Sequence, residues 1–360
     1  LIRSLTQIPQ LRLHNQCITR TGQRQAADLV AWLGAVQAQE FGPAKWALGL
    51  RLPRTSTEAT VGSAFDAGLI LRTHVMRPTW HFVAAPDIGW MLELTAPRVH
   101  QVLSHYRRRL GLDDASCRRA TTLFERALDE PLTRRELGIR LARAGIAVTS
   151  LPLAMLTIYA ELEGVMCSGP RRGTHHTYAR LADRAPGARR LPRDEAVAVL
   201  TRRYFRSHGP ATIRDFVWWS GLRTPDAKRG LDMIGATPHL LDGCTYWQVE
   251  GRSRTATAGA PLHLLPIYDE YLVSYRDRAA VPHGPTSVPS QSRGPVTFQH
   301  ALVIAGQVAG TWRTGRGDSG MSIEVIPLRK LTRTERGWLE TAIERYSRFL
   351  GAPVSVSVGA

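Results

Sequence analysis

Apolar residues recur at helical spacing through the first two-thirds of this 360-residue chain and alternate at strand spacing through the last third. Ala26, Leu29, Val30, Leu33 and Val36 form one apolar helical face. Gly42-Pro43 is expected to end that helix, because a residue before proline avoids the α region and a proline suits the first turn of the next helix. The next helix carries Trp46, Leu48 and Leu50, and Thr55-x-x-Glu58 is expected to cap a third, ending near Ala67-Gly68. Two strands, 69–74 and 79–83, then flank Met76-Arg77-Pro78. A hairpin after such helices reads as a wing.

The middle of the chain repeats one design. Pro131-Leu132-Thr133-Arg134-Arg135-Glu136-Leu137 and Pro210-Ala211-Thr212-Ile213-Arg214-Asp215-Phe216 each set a threonine three residues before an acid and then an apolar residue. That spacing opens a short capped helix. Each block follows a longer amphipathic helix (120–128 and 196–205) and precedes a second apolar helix (151–164 and 225–234). The pattern is that of helix-turn-helix modules, and Gly169-Pro170-Arg171-Arg172-Gly173 resembles a wing turn.

Beyond about Thr245 the texture becomes alternating strands at 246–249, 262–265, 271–275, 301–304, 308–313 and 322–326, divided by Pro/Gly/Ser segments such as 281–295. Thr332-x-x-Glu335 caps a closing helix through Leu350, stopped by Gly351 and Pro353. The expected class is α+β: three tandem winged-helix (helix-turn-helix) domains at 1–95, 96–190 and 191–250, then a small C-terminal β-barrel with a closing helix at 251–360.

Charge narrows the function. Lys+Arg number 47 against 30 Asp+Glu, a formal net charge of +17, and only Lys45, Lys228 and Lys330 are lysines. Guanidinium forks match phosphate oxygens in pairs and tolerate partial desolvation, so the surplus reads as nucleic-acid binding. Four cysteines lie far apart with no C-x-x-C pair, which points to reduced, mostly buried thiols in a cytoplasmic protein. No run approaches the roughly 18 apolar residues of a membrane span. Leu1-Ile2-Arg3-Ser4 carries no apolar export signal. His175-His176 lacks the spacing of a metal site, and neither metal nor cofactor is expected.

Gln37-Ala38-Gln39 is the candidate chemistry. An amide can orient and polarise but cannot exchange a proton near neutral pH. On a continuous helix, residues two apart point about 200° from each other, so the two meet one ligand only where the helix is ending. Taken alone, they read as surface glutamines near a helix terminus.

Five ordered blocks are similar to the winged-helix DNA glycosylase superfamily typified by AlkZ: Val36-Gln37-Ala38-Gln39 with its flanks; the run from Leu71 to His81; His208-Gly209-Pro210-Ala211-Thr212; Leu265-Pro266-Ile267-Tyr268-Asp269-Glu270-Tyr271-Leu272; and the run from Gly306 to Arg313. The resemblance spans nearly the whole chain. It implies three tandem winged helices and a β-barrel around a basic cleft for duplex DNA. The family's Gln-Φ-Gln catalytic motif, Φ being aliphatic, falls here on Gln37, Ala38 and Gln39. It further implies removal of N-alkylated purines and unhooking of azinomycin-type interstrand crosslinks. Under that resemblance, the carbonyl oxygens of Gln37 and Gln39 stabilise the sugar oxocarbenium ion and hold the attacking water. A cationic base departs neutral and needs no acid, so neutral lesions are expected to be poor substrates. Glu40 reads as a charged surface residue.

Candidate DNA contacts are Arg72, His74, Arg77 and His81 on the first hairpin and Arg171 and Arg172 on the second wing. The hairpin 303–312, turning at Ala305-Gly306-Gln307 and followed by Arg313, is a candidate minor-groove probe, with ordinary barrel structure the favoured reading. Of the three lysines only Lys45 is near the motif, where it is expected to meet phosphate or solvent. A Schiff-base nick is therefore not expected, and the reading is a monofunctional, monomeric enzyme on double-stranded DNA. The competing readings are a non-catalytic winged-helix regulator and an RNA-binding protein. Gly315-Arg316-Gly317-Asp318-Ser319-Gly320 imitates a dinucleotide loop and a protease motif, but a strand follows it where a nucleotide fold needs a helix. Trp218-Trp219 reads as core packing.

Overall fold

A computed structural model describes residues 4–20, 22–146, 148–249, 261–276, 298–317 and 320–359. The expected turn-rich stretch at 281–295, and Asp318 and Ser319 of the glycine-rich turn, lie outside them.

The first unit holds α1 (Ile8–Asn15), α2 (Ala26–Leu33), β1 (Val36–Gln37), α3 (Phe41–Gly49), α4 (Glu58–Asp66), β2 (Ile70–His74) and β3 (Trp80–Ala84). Helix α2 stops earlier than expected. Gly34 takes φ +86°, where a Cβ would also lie 3.1 Å from Trp219, and the chain leaves extended. Val36 and Gln37 thus become a strand on the hairpin, in the order β1-β3-β2. Gly42-Pro43 opens α3 rather than closing α2. The cap of α4 is Thr57, paired with Thr60, and not Thr55, because Glu58 is already helical.

The second unit holds α5 (Ile88–Arg109), α6 (Asp114–Ala127), β4 (Leu132–Thr133), α7 (Arg134–Arg143), α8 (Ser150–Leu162), β5 (Met166–Ser168), β6 (Thr177–Arg180) and α9 (Leu181–Arg184). Its sheet runs β4-β6-β5. Helix α5 is unbroken across the expected boundary at residue 95. The third unit holds α10 (Arg193–Ser207), α11 (Ile213–Ser220), α12 (Thr224–Ile234), β7 (Thr237–Leu241) and β8 (Cys244–Gln248). Both repeat blocks form reciprocal capping boxes, Thr133 with Glu136 and Thr212 with Asp215. Each satisfies two orphan helix-end donors and contributes about 1 kcal/mol.

The last part holds β9 (Leu262–Leu265), α13 (Glu270–Val273), β10 (His300–Ile304), β11 (Gln307–Gly317), β12 (Gly320–Pro327), α14 (Arg333–Leu350) and β13 (Val354–Val358). The sheet, ordered β13-β12-β11-β10-β9, curls into half a barrel whose end strands do not pair with each other among the described residues. Residues 271–275, expected as a strand, begin inside α13. The Asp269 carboxylate caps that turn by accepting from the Tyr271 amide at 2.9 Å. Arg51 holds the same carboxylate in a buried fork at 2.7 and 2.8 Å.

Two shared cores set the site. Apolar residues of α2–α4 continue into β9–β12 and α14. There the Trp46 indole donates to Leu264 O at 2.8 Å, and the Trp312 indole donates to Leu265 O at 2.9 Å. A second core joins β2, β3 and α5 to α10–α12. The first unit is therefore gripped from two sides, and β1 lies where these grips meet. No helix among the described residues is long and apolar enough to cross a membrane.

Candidate active site

Gln37 pairs across the sheet with His81, and the Ala38 amide donates to Trp80 O at 2.7 Å. β1 ends at Gln37, and Gln39 follows it in a bend rather than in the strand. Gln37 is 8% exposed, whereas Gln39 is exposed. Arg72 ties the motif's backbone from beneath, donating to Ala38 O at 2.9 Å and Gln39 O at 3.1 Å. Its guanidinium lies 4.2 Å from the Trp80 ring centre. Burial pulls its pKa down to about 10, which still leaves it cationic at neutral pH.

Arg77 and Glu270, the two side chains bonded to Gln37, each have further partners. Arg77 Nη2 donates to Gln37 Oε1 at 2.9 Å and approaches His81 Nε2 at 3.3 Å. The His81 Nδ1–H donates to Thr79 O at 2.9 Å, which leaves Nε2 as the lone-pair nitrogen. Burial, reinforced by the Arg77 charge, drops the His81 pKa to about 3. The Gln37 amide donates to Glu270 Oε1 at 2.6 Å. Glu270 Oε2 accepts from the Trp219 indole at 3.0 Å and from the Ser274 hydroxyl. Burial opposes ionisation of Glu270, but His208, the Arg77 charge and the Ser274 hydroxyl outweigh it and hold the carboxyl at about 2. His208, 3.5 Å from Glu270 Oε2, is itself pushed down by burial.

Gln37 forms part of the floor of an open cleft of about 830 Å³, walled by Val102, Trp218, Tyr268 and Phe298 with Arg98 and Arg223 among the polar lining. Met76 and Tyr268, both on its walls, hold left-handed backbone at φ +63° and +61°. Such strain costs about 1–3 kcal/mol per residue and tends to gather at functional sites.

The family model described as "DNA glycosylase AlkZ-like" matches residues 30–349. The chain belongs to the AlkZ-like DNA glycosylase family. A relative described as "Interstrand DNA cross-link repair glycosylase", from Streptomyces sahachiroi, is 27% identical over 335 residues, covering 86% of this chain and 87% of its own. The solved structure of Streptomyces sahachiroi DNA glycosylase AlkZ matches with a TM-score of 0.81 over 100% of both chains at 24% identity, which establishes the shared fold.

Within this AlkZ-like chain, several expected DNA contacts are relocated. Arg72, His74 and His81 are 8%, 3% and 0% exposed, so they support the motif rather than face a strand. His74 pairs with buried Glu161 of α8. Lys45 pairs with Glu58 and is buried, not turned to phosphate. The turn through Gly306 is docked on α1: a Cβ there would lie 2.6 Å from Pro9, and the Tyr271 hydroxyl donates to Gly306 O at 2.7 Å. Gly306 therefore cannot lead a probe, and the exposed Gln307 flanks a seated turn. Arg313 is exposed on β11 and paired with Glu324. Arg172 is exposed and paired with Glu136. Arg171, half-buried, lies 5.2 Å from the Phe41 ring centre, with Lys45 at 5.1 Å and Arg72 at 6.0 Å. A basic cluster thus surrounds the residue two places beyond Gln39.

Two residues escaped the sequence reading. Glu270 stood inside a quoted block with no role, because its partner Gln37 is 233 positions away. Trp218 was expected in the core with Trp219, yet it is 46% exposed on the cleft wall; only Trp219 packs inside.

Buried neutral histidines carry a stability signature. His81 and His263 both sit at about 3, mainly through burial. As pH falls below the ordinary histidine value, the unfolded chain takes up protons that the folded one refuses, so stability present at pH 7 is lost on acidification. Between pH 6.5 and 5 each is expected to remove about 2 kcal/mol. Thermal melts at pH 7 and 5 check this, and an unchanged Tm would contradict it.

Proposed function

We propose that the chain is a monofunctional glycosylase that hydrolyses the N-glycosidic bond of cationic N-alkylated purines in double-stranded DNA, bulky interstrand crosslinks included. The observation carrying this reading is that, among the described residues, neither His81 nor Glu270, the titratable imidazole and carboxyl beside Gln37, is placed to act as a general acid at neutral pH. His81 holds its single proton against Thr79 O, and Glu270 is ionised. A site without an acid suits a base that leaves neutral unaided, as one alkylated at N7 or N3 does.

The open shape of the cleft supports the crosslink part. A tethered base cannot swing fully into a closed pocket, and a trough with Gln37 in its floor reaches it in place. We read the three helical units as winged helices, at 1–95, 96–190 and 191–250, with the curled sheet and α14 at 251–360 as the fourth domain. Gln37 and Gln39 are the catalytic residues of this reading. Arg171, Arg172 and Arg313 are the cations left for phosphate, acting as one monomer along a single duplex.

Incubation with duplex containing N7-methylguanine is expected to liberate the free base, detected by chromatography. Strands stay intact until alkali is added, and a hypoxanthine duplex is spared. Tight binding without any released base would favour a regulator.

A further inference from the structure

The polarity of the two amides is legible. A guanidinium has only donors, so the Gln37 atom facing Arg77 Nη2 at 2.9 Å must be its oxygen. Arg77 is steadied in turn by the His81 lone pair, and that ring is keyed to Thr79 O. The backbone N–H of Gln37 is used on Glu270. What remains is Gln37 Nε2, which makes no hydrogen bond among the described residues and does not figure among their buried, unpartnered polar atoms. Gln37 itself lines the cleft. Gln39 has the same polarity: its Oε1 accepts from the Trp80 amide at 3.3 Å, and its side chain is exposed. Both carbonyl oxygens accept from protein donors, which leaves the NH₂ groups as the atoms available to a ligand.

This polarity conflicts with using the Gln37 carbonyl to stabilise a sugar cation. A carbonyl oxygen aimed at a guanidinium has its negative end already compensated, and the N–H left available repels positive charge. An N–H calls for a lone pair. We propose that Gln37 meets a departing N7-alkylated purine as a hydrogen-bond donor to N3, with Arg77 the positioning residue that sets this polarity. The step balances simply. The C1′–N9 bond breaks, and its electron pair passes to N9 and into the ring toward N3, neutralising the cationic base. Water adds through oxygen to C1′, and its proton leaves to solvent. The bond from Gln37 strengthens as that electron density arrives, so it favours the transition state over the bound substrate.

The inference rests on the glycosylase reading above, and single-turnover release from N7-methylguanine duplex separates the two. Gln37→Glu keeps the size and the pairing with Arg77 but has no N–H. It is expected to fall as far as Gln37→Ala, about a hundredfold; a Gln37→Glu rate at or above wild type overturns the proposal while leaving the glycosylase reading intact. Thermal melting and duplex binding establish that each variant is folded. A second arm needs no such control on the wild type: with N7-methyl-3-deazaguanine, which lacks the N3 acceptor, the ratio of wild-type to Gln37→Ala rates is expected to shrink toward one. An unchanged ratio overturns it. For Arg77, Arg77→Met is expected to slow release at saturating enzyme, and Arg77→Lys to restore most of it. Arg77→Met is also expected to add nothing once Gln37 is alanine, whereas a persistent loss in that background assigns Arg77 elsewhere. A wild-type protein that releases no base from either duplex defeats both readings together.

Discussion

Glu270→Ala is expected to lower the unfolding free energy by about 3–5 kcal/mol and to remove base release with it. The side chain is fully buried, and its two oxygens serve the Gln37 amide, the Trp219 indole and the Ser274 hydroxyl. Alanine strands all three donors in the interior and removes the carboxylate charge that supports Arg77. Domains of ordinary stability have only about 5–15 kcal/mol in total, so the loss is a large fraction. Because the Glu270 contact is to the backbone of Gln37, β1 loses its anchor at Gln37. Glu270→Gln retains an acceptor and is expected to cost about 1–2 kcal/mol. Urea unfolding of the three proteins checks the ranking, and a Glu270→Ala protein within 1 kcal/mol of wild type would contradict it.

The contrast between Glu270 and the capped helices shows what was legible in the sequence. Thr133 with Glu136 and Thr212 with Asp215 are local pairs, three residues apart, and their spacing alone announces the helix start. Strands β9, β10 and β12 were legible for a similar reason, since each carries its own alternation or apolar run. β1 was not, because two residues show no period; it exists through Gly34 and its pairing with β3. The same holds for α13, where an apolar run looked like a strand until the Asp269 cap, braced by Arg51, turned it. β7 and β13 also escaped, both at sheet edges with mostly exposed residues and little apolar signal.

The site follows that division. Its motif was visible by resemblance, and the family match over residues 30–349 establishes the membership. Its wiring was not visible. Arg72 and His81 appeared as surface cations because arginine and histidine usually are, yet the fold uses them as buried supports of the motif and its hairpin. The hairpin turn through Gly306 looked free because glycine marks turns, but what it packs against is set by α1, nearly 300 residues earlier.

The second large effect concerns the amides themselves. Removing either side chain leaves the β1–β3 pairing intact, since that pairing is made by backbone atoms. Gln37→Ala takes one acceptor from Arg77, which keeps the His81 lone pair, and Gln39→Ala removes an exposed side chain whose partner is the Trp80 amide. Stability is therefore expected to change by less than about 1–2 kcal/mol. Base release is expected to fall about a hundredfold or more in each, as when one preorganised polar group is removed from an active site.

The most direct measurement is the count of alkali-revealed strand breaks in N7-methylguanine duplex, set against an enzyme-free control given the same alkali. The account predicts abundant breaks with the native protein and breaks near control level with Gln37→Ala and with Gln39→Ala, while all three proteins bind duplex and melt alike. Undiminished breaks in both variants would contradict it.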